Sequence, residues 1–176
     1  MDLRNKIRVI PDFPKKGILF RDITTLLKDK KAFHEVISKI VGKYKNKKID
    51  IVAGIESRGF ILAGAVAYEL KAGFVPLRKD GKLPSKKVST TYKLEYGSAK
   101  MEVHEDAFPK NARVLIVDDI IATGGTICAA VDLINALGGK LVGVAVIADL
   151  EYLGGSKKLK GCPLEKLMSF KVAPRW

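Results

Sequence analysis

Apolar residues recur along the chain with two spacings, one typical of helices and one typical of buried strands. Residues 31–44 carry apolar side chains three or four positions apart, which predicts an amphipathic helix. A second, Ala-rich helix is predicted at residues 61–70. Continuous apolar runs predict strands that are covered on both faces, as in a parallel sheet. These runs are residues 49–55, 73–77, 114–117 and 141–147. The alternation of predicted strands and helices along the chain predicts a doubly wound, mostly parallel α/β sheet flanked by helices.

The N-terminal arm, residues 10–27, combines Pro and Gly with many apolar side chains. This mixture is unusual for a tail and predicts an ordered but irregular element. On the residues alone, Phe13, Phe20 and Ile23 are anchors that pin the arm to the core.

Three other segments have weaker patterns. Residues 80–89 are polar and Lys-rich, with little to bury, which predicts a mobile lid. Residues 91–103 alternate around Gly97 and Ser98 and predict a β-hairpin. Toward the C-terminus, a loop is expected over residues 153–163 and a short strand over residues 167–172.

The most informative stretch lies between residues 113 and 126. Its apolar run is followed directly by Asp118 and Asp119, at the carboxyl end of a strand, where open α/β sheets bind their ligands. Two glycines flanked by Thr123 and Thr126 then open a helical pattern, whose first N–H groups have no partner within the helix. Such a turn can hold a phosphate. A Walker loop is excluded because no Lys follows the glycines.

A second polar turn, Glu56-Ser57-Arg58-Gly59, separates the strand at residues 49–55 from the Ala-rich helix. It therefore also lies at the carboxyl end of a strand. Arg78 and Lys79 end the next strand and add two cations. On the pattern alone, Arg58 is a surface residue at a helix start.

Length and composition favour one globular domain, residues 1–176, with 47% hydrophobic residues. The sequence has no apolar run long enough for a membrane span, and its first residues lack the apolar core of a signal peptide, so a cytoplasmic protein is expected. The net charge of +13 is spread over dispersed Lys pairs, and no specific nucleic-acid partner is expected. Two cysteines and two histidines lack metal-site spacing. They are Cys128, Cys162, His34 and His104.

The strand, acidic pair and Thr/Gly loop resemble the signature of the type I phosphoribosyltransferases, which bind 5-phosphoribosyl-1-pyrophosphate (PRPP). The resemblance implies that Asp118 and Asp119 address the ribose hydroxyls. It implies a 5′-phosphate site at Ala122, Thr123, Gly124, Gly125 and Thr126. It also implies a pyrophosphate site at Glu56, Ser57, Arg58, Gly59, Arg78 and Lys79, with a cis Glu56-Ser57 peptide bond.

Two further motifs resemble the adenine branch of that family. The arm resembles its hood, residues 1–30, in which the backbone of Leu19 and Arg21 reads the purine edge and Phe20 stacks on the ring. Leu150 is implied against the opposite ring face. The motif at residues 94–97 resembles the branch's flap, residues 80–103, and makes Glu95 the acid/base candidate. On the pattern alone, Glu95 could equally be a polar residue on an exposed strand face.

The implied reaction converts adenine and PRPP to AMP and pyrophosphate, with Arg58, Asp118 and Asp119 assisting Glu95. Mg²⁺ is expected mainly on the oxygens of the substrate, without a direct protein site. Members of the family are commonly homodimers. The alternatives are a 6-oxopurine phosphoribosyltransferase and a non-catalytic, PRPP-sensing regulator that binds nucleic acid.

Overall fold

A computed structural model describes residues 2–93, 97–159 and 161–173. Its centre is a seven-stranded sheet, formed by β3 (Ile51–Ile55), β4 (Gly73–Lys79), β5 (Lys87–Lys93), β6 (Ser98–His104), β7 (Arg113–Ile121), β8 (Lys140–Asp149) and β9 (Leu164–Ser169). The order of the strands across the sheet is β5-β6-β4-β3-β7-β8-β9. The five strands from β4 to β9 in this order are parallel, whereas β6 and β5 are antiparallel additions at one edge.

Helices cover both faces of the sheet, as the continuous apolar runs predict. The helices α2 (Lys30–Tyr44) and α3 (Arg58–Leu70) pack on the face that carries Leu115 and Val117. The helix α4 (Gly125–Ala136) packs on the opposite face, with Val114 and Ile116. The doubly wound α/β fold is therefore confirmed. Within the described part of the chain, no helix is both long and apolar enough to cross a membrane.

The hood is more regular than its composition predicts. After a 3-10 turn at Leu3–Lys6, β1 (Arg8–Ile10) and β2 (Phe20–Asp22) form an antiparallel pair, followed by the short helix α1 (Thr24–Leu27). Ile23 is fully buried and anchors the hood, whereas Phe13 is half exposed and packs edge-on against Phe20 with ring centroids 5.1 Å apart. The interpretation of Phe13 as a core anchor is therefore wrong.

The boundaries of two strands, β5 and β9, also differ from the sequence predictions. The strand β5 begins at Lys87, inside the predicted lid, because it pairs with β6 from Lys87↔His104 onward. The last strand, β9, begins at Leu164 and ends at Ser169, where the pattern predicts residues 167–172. It starts earlier because Leu164 pairs with Val144 of β8. The predicted loop before it contains a 3-10 turn at Gly155–Lys158, and another 3-10 turn, at Glu151–Leu153, ends where the predicted loop begins.

Candidate active site

The sequence predicts the acidic pair beyond the end of its strand. In the structure the pair lies inside β7. The strand continues to Ile121 because β8 remains paired with it over that length. Pairing with β3 on the other side ends at Val117. Asp118 and Asp119 thus occupy a stretch of β7 that is supported from one side and opens toward the ends of β3 and β4.

Both carboxyl groups are almost completely buried, with 7% of Asp118 and 4% of Asp119 exposed. Burial and the neighbouring Asp119 charge raise the pKa of Asp118 well above its usual range. Burial also raises the pKa of Asp119, although the Arg58 guanidinium opposes the shift. Asp118 Oδ1 accepts a hydrogen bond from the Asp119 N–H at 2.9 Å. A Cβ at Gly59 would lie 2.7 Å from the same oxygen, so only Gly allows α3 to approach this closely.

Arg58 connects three parts of the site from the first position of α3. Its Nε lies 2.8 Å from Asp119 Oδ2. Its Nη1 donates to the backbone carbonyl of Arg21 at 3.4 Å, and its guanidinium carbon lies 5.0 Å from the centroid of the Phe20 ring. The side chain therefore bridges the acidic pair and the hood, a role that the residue pattern alone did not indicate.

Glu56 contacts the basic residues at and just after the end of β4. Its Oε2 accepts hydrogen bonds from Arg78 Nε at 3.1 Å and from the Lys79 N–H at 3.2 Å, and its Oε1 pairs with Lys82 Nζ. Although burial alone raises the pKa of Glu56, the bonds from Lys82, Lys79 and Arg78 outweigh it and lower the pKa. The Glu56-Ser57 peptide bond is cis, as predicted.

The Thr/Gly loop turns directly from β7 into α4. Gly124 has a φ of +81°, a left-handed conformation that favours glycine, and α4 begins at Gly125. Gly124, the N-cap residue of α4, has no side chain, and the side chain of Ser57, the N-cap residue of α3, makes no capping hydrogen bond. Both helix starts therefore leave N–H groups available to an anion, where the helix dipole also favours negative charge.

The acidic pair, the turn that carries Glu56 and Arg58, and the Thr/Gly loop all line one cavity of about 550 Å³. Eleven of the predicted site residues line it, namely Phe20, Glu56, Ser57, Arg58, Lys79, Asp118, Asp119, Ala122, Thr123, Gly124 and Thr126. The predicted residues outside its wall are Leu19, Arg21, Gly59, Arg78, Gly125 and Leu150. Arg21 turns its guanidinium onto the Phe170 ring, 3.5 Å from the centroid, so that its backbone and not its side chain faces Arg58.

The model of the phosphoribosyl transferase domain family matches residues 22–160, which is most of the chain. The chain belongs to the phosphoribosyltransferase family.

Among its relatives in the family, the adenine phosphoribosyltransferase of Symbiobacterium thermophilum is 54% identical over 97% of this chain and 100% of the relative. The crystal structure of adenine phosphoribosyltransferase from Thermoanaerobacter pseudethanolicus has a TM-score of 0.92 and 46% identity, covering 96% of this chain and 98% of that one. The Saccharomyces cerevisiae enzyme, crystallised with an imino-altritol bisphosphate and adenine, has a TM-score of 0.88 and 38% identity, covering 94% and 96% of the two chains. These similarities assign the chain to the adenine branch and confirm the type I phosphoribosyltransferase fold.

Several residues at or near this phosphoribosyltransferase site could not be predicted from the sequence. Lys82 is one of three Lys residues in the polar segment 80–89, and the sequence does not indicate its contact with Glu56. Tyr92 and Met101 line the cavity from the flap, and Ile127 lines it from α4. Their alternating or helical apolar spacing predicted burial, but no signal in the sequence connected that burial with the site.

The catalytic role expected of Glu95 and the Mg²⁺ expected on the substrate both stay predictions. Glu95, with its neighbours 94 and 96, lies outside the described residues. Among the residues that the structure describes, no group of three or more His, Cys, Asp or Glu side chains is placed to hold a metal ion.

Proposed function

We propose that the protein transfers the 5-phosphoribosyl group from PRPP to adenine, giving AMP and pyrophosphate in purine salvage. The observation that carries this proposal is the single cavity in which an uncapped helix start, a buried acidic pair and a cluster of cations lie beneath the aromatic hood. Adenine phosphoribosyltransferases that align with almost the whole chain support the choice of base.

In the proposed complex the 5′-phosphate binds at the start of α4. The N–H groups and hydroxyls of residues 122–126 would hold it, as the resemblance implies, and the free N–H groups of the first turn support this role. Asp118 and Asp119 precede this loop in the chain, on β7, and line the same cavity, where the ribose hydroxyls of PRPP would follow the phosphate. We therefore assign the pair to orienting the sugar.

Pyrophosphate leaves from the side of the site formed by residues 56–59 and the end of β4. Arg58 lines the cavity beside the uncapped start of α3, and Lys79 lines it from β4. Arg78 and Lys82 contact Glu56 just behind this wall. As the C1–O bond breaks, these cations would stabilise the charge that develops on the leaving group, while the acidic pair faces the growing positive charge of the ribose.

Mg²⁺ would enter with PRPP, held mainly by the oxygens of the substrate, and would supply further charge stabilisation to the leaving group. The residues fit this arrangement because the buried acidic pair can accept hydrogen bonds from water bound to the metal. Asp119 Oδ2 is buried and, among the described residues, makes an ion pair with Arg58 but no hydrogen bond. The protein's own contribution is to orient the ribose and to exclude water.

Adenine would lie beneath Phe20, which forms part of the cavity wall. We propose that the backbone of Leu19 and Arg21 reads the purine edge and that Leu150, buried at the end of β8, supports the other face. Glu95 would accept the proton that adenine loses as its imidazole nitrogen bonds to C1 of the ribose and pyrophosphate leaves. The contact from Arg58 Nη1 to the Arg21 carbonyl supports this arrangement because it ties the hood backbone to the cation at the reacting centre.

Incubating the purified protein with PRPP, Mg²⁺ and adenine, and measuring AMP by chromatography, tests the proposal. Hypoxanthine and guanine serve as parallel substrates. AMP formation with little reaction of the other bases is expected. A preference for hypoxanthine or guanine would favour the 6-oxopurine alternative, and PRPP binding without any nucleotide product would favour the regulator.

We further propose that the chain forms one domain, acts in the cytoplasm and assembles as a homodimer. Three large apolar side chains support the dimer: Ile61 and Tyr68 of α3 and Phe74 of β4 are exposed, Tyr68 by 83%. Phe74 also packs edge-on against Phe60, with ring centroids 5.8 Å apart. Light scattering after gel filtration should give twice the monomer mass, and a monomer at micromolar concentration would contradict this part.

A further inference from the structure

The turn that follows β8 makes an unusually close contact with the Thr/Gly loop. A Cβ built on Gly155 would lie 2.1 Å from the carbonyl oxygen of Ala122, 2.6 Å from the nitrogen of Gly124 and 2.8 Å from the carbonyl carbon of Thr123. The contact is mutual, because a Cβ on Gly124 would lie 2.5 Å from the carbonyl oxygen of Gly155. All of these atoms belong to backbone and cannot rotate away.

The contact, and not backbone conformation, requires glycine at position 155. Its φ lies outside the left-handed region, in which L side chains are strained. The preceding Gly154 shows the opposite case, with a φ of +69° and open space around it. Gly155 therefore has no side chain because the backbone of the Thr/Gly loop occupies the space where one would lie.

This contact supports the loop, which lies between the end of β7 and the start of α4 and belongs to neither element. The base of the loop is fixed separately, since the Leu150 N–H donates to the Ile121 carbonyl at 2.9 Å. A methyl group at Gly155 would overlap the backbone of residues 122–124 and displace it, together with its N–H groups.

We propose that Gly155 is a positioning residue for the 5′-phosphate. It holds the backbone of residues 122–124 in the geometry that binds the phosphate, although it does not itself line the cavity. The inference rests on the proposed function, in which that loop receives the 5′-phosphate of PRPP. The turn that carries Gly155, which the residue pattern predicted only as a loop, thereby gains a role in ligand binding.

Ligands that occupy different parts of the site test the inference. In Gly155→Ala, the dissociation constants of ribose 5-phosphate and AMP should rise roughly tenfold or more, because small displacements of a binding loop are costly. The dissociation constant of pyrophosphate should stay within about twofold of the wild type, because its groups lie on α3 and β4. Gly42→Ala, in α2 with nothing near its Cβ, is the matched control and should leave all three constants unchanged.

A uniform loss of affinity for all three ligands, or no loss for any, would overturn the positioning role. If Gly155→Ala does not fold, hydrogen exchange on the wild type decides instead. Ribose 5-phosphate should protect the amides of residues 122–124 and 154–156 together, and protection of the first group alone would refute the inference. Because these experiments measure binding, they remain informative if the wild type binds ribose 5-phosphate but forms no AMP, a result that would count against the proposed function alone.

Discussion

Arg58 Nε and Asp119 Oδ2 lie 2.8 Å apart, although one residue begins α3 and the other belongs to β7. The pair joins the cation assigned to pyrophosphate and a carboxylate assigned to ribose. Because both groups are partly or fully removed from water, the pairing limits the cost of burying each charge. It also means that a substrate that binds between them must replace this contact with its own.

Replacing Arg58 should separate the effect of its charge from that of its shape. Arg58→Ala should lower kcat/KM by about a hundredfold or more, because a charge that stabilises the leaving group is lost. Arg58→Lys keeps the charge but loses the planar group that reaches the Arg21 carbonyl and the Phe20 ring, so the KM for adenine should rise. Steady-state kinetics with each substrate varied in turn measures both effects. Lys43→Ala, an exposed cation on α2, is the control. Equal losses in both Arg58 variants would contradict the role of charge, and a wild-type KM for adenine in Arg58→Lys would contradict the role of shape.

Asp118→Asn should stabilise the free protein while reducing its activity. The raised pKa of Asp118 means that, between the unfolded pKa of about 4 and its higher folded value, the folded state binds more protons than the unfolded state. Its contribution to stability therefore falls as pH rises through that window. Removing the charge should raise the free energy of unfolding at pH 7 by about 1 kcal/mol and flatten this pH dependence.

Urea denaturation at several pH values measures this effect. Asp119→Asn is the matched comparison, and it should not give the same gain, because it leaves Arg58 without its carboxylate partner. A destabilised Asp118→Asn protein would show that the buried charge is compensated better than its surroundings indicate.

Glu102 should control the position of the segment that carries Lys82. Its fully buried carboxylate accepts hydrogen bonds from the Gly81 N–H at 3.1 Å and from Lys87 Nζ at 2.8 Å, and thereby closes the base of that segment. Glu102→Gln should lower the free energy of unfolding by about 2 kcal/mol, because the hydrogen bonds to a buried carboxylate lose their charge assistance. The KM for PRPP should rise as Lys82 loses its position.

Denaturation and kinetics of Glu102→Gln can be compared with those of Glu105→Gln, an exposed carboxylate close by on the chain. Similar small effects in the two variants would show that Glu102 does not organise the segment.

Glu95 has the most direct assigned role in the chemistry. Glu95→Gln should lower kcat more than it weakens PRPP binding, because the variant keeps the shape of the side chain and loses the proton-exchanging group. Single-turnover rates, together with PRPP affinity from equilibrium binding, distinguish the two effects. An unchanged kcat would remove Glu95 from the mechanism.

The hood should contribute to stability in acid through Asp22. Although burial alone raises the pKa of Asp22, hydrogen bonds from Arg8 and Thr24 outweigh it and lower the pKa to about 2. A lowered carboxyl pKa contributes stability above the unfolded value of about 4, and this contribution is lost as pH falls toward 2. Asp22→Asn should therefore show a smaller loss of stability between pH 4 and pH 2 than the wild type. Asp106→Asn, an exposed substitution, should retain the wild-type slope in thermal unfolding.

The sequence predicts best the elements whose burial is apparent from their own apolar residues. The run before Asp118 predicts a strand covered on both faces because all its side chains are apolar, and the structure places them in two cores on opposite faces of the sheet. The two polar turns, at Glu56 and at Thr123, lie at the same edge because parallel strands end together. Their chemistry could therefore be located before the fold was known.

Non-local contacts account for most of the differences. The extension of β7 past Asp119 depends on pairing with β8, and the start of β5 at Lys87 depends on a partner in β6. The requirement for glycine at Gly155 depends on a loop more than thirty residues earlier in the chain. None of these partners changes the local pattern of apolar and polar residues, so pattern analysis could not detect them.

The joint between the flap and the parallel sheet has a mechanical consequence. Within the described residues, β4 and β6 are paired at Arg78↔Glu102 and Lys79↔Met101. The residues of β4 that form this joint are thus the same residues that carry cations of the proposed pyrophosphate site. A tilt of the flap about the joint would displace these cations, so that opening the site and releasing an anion become a single motion.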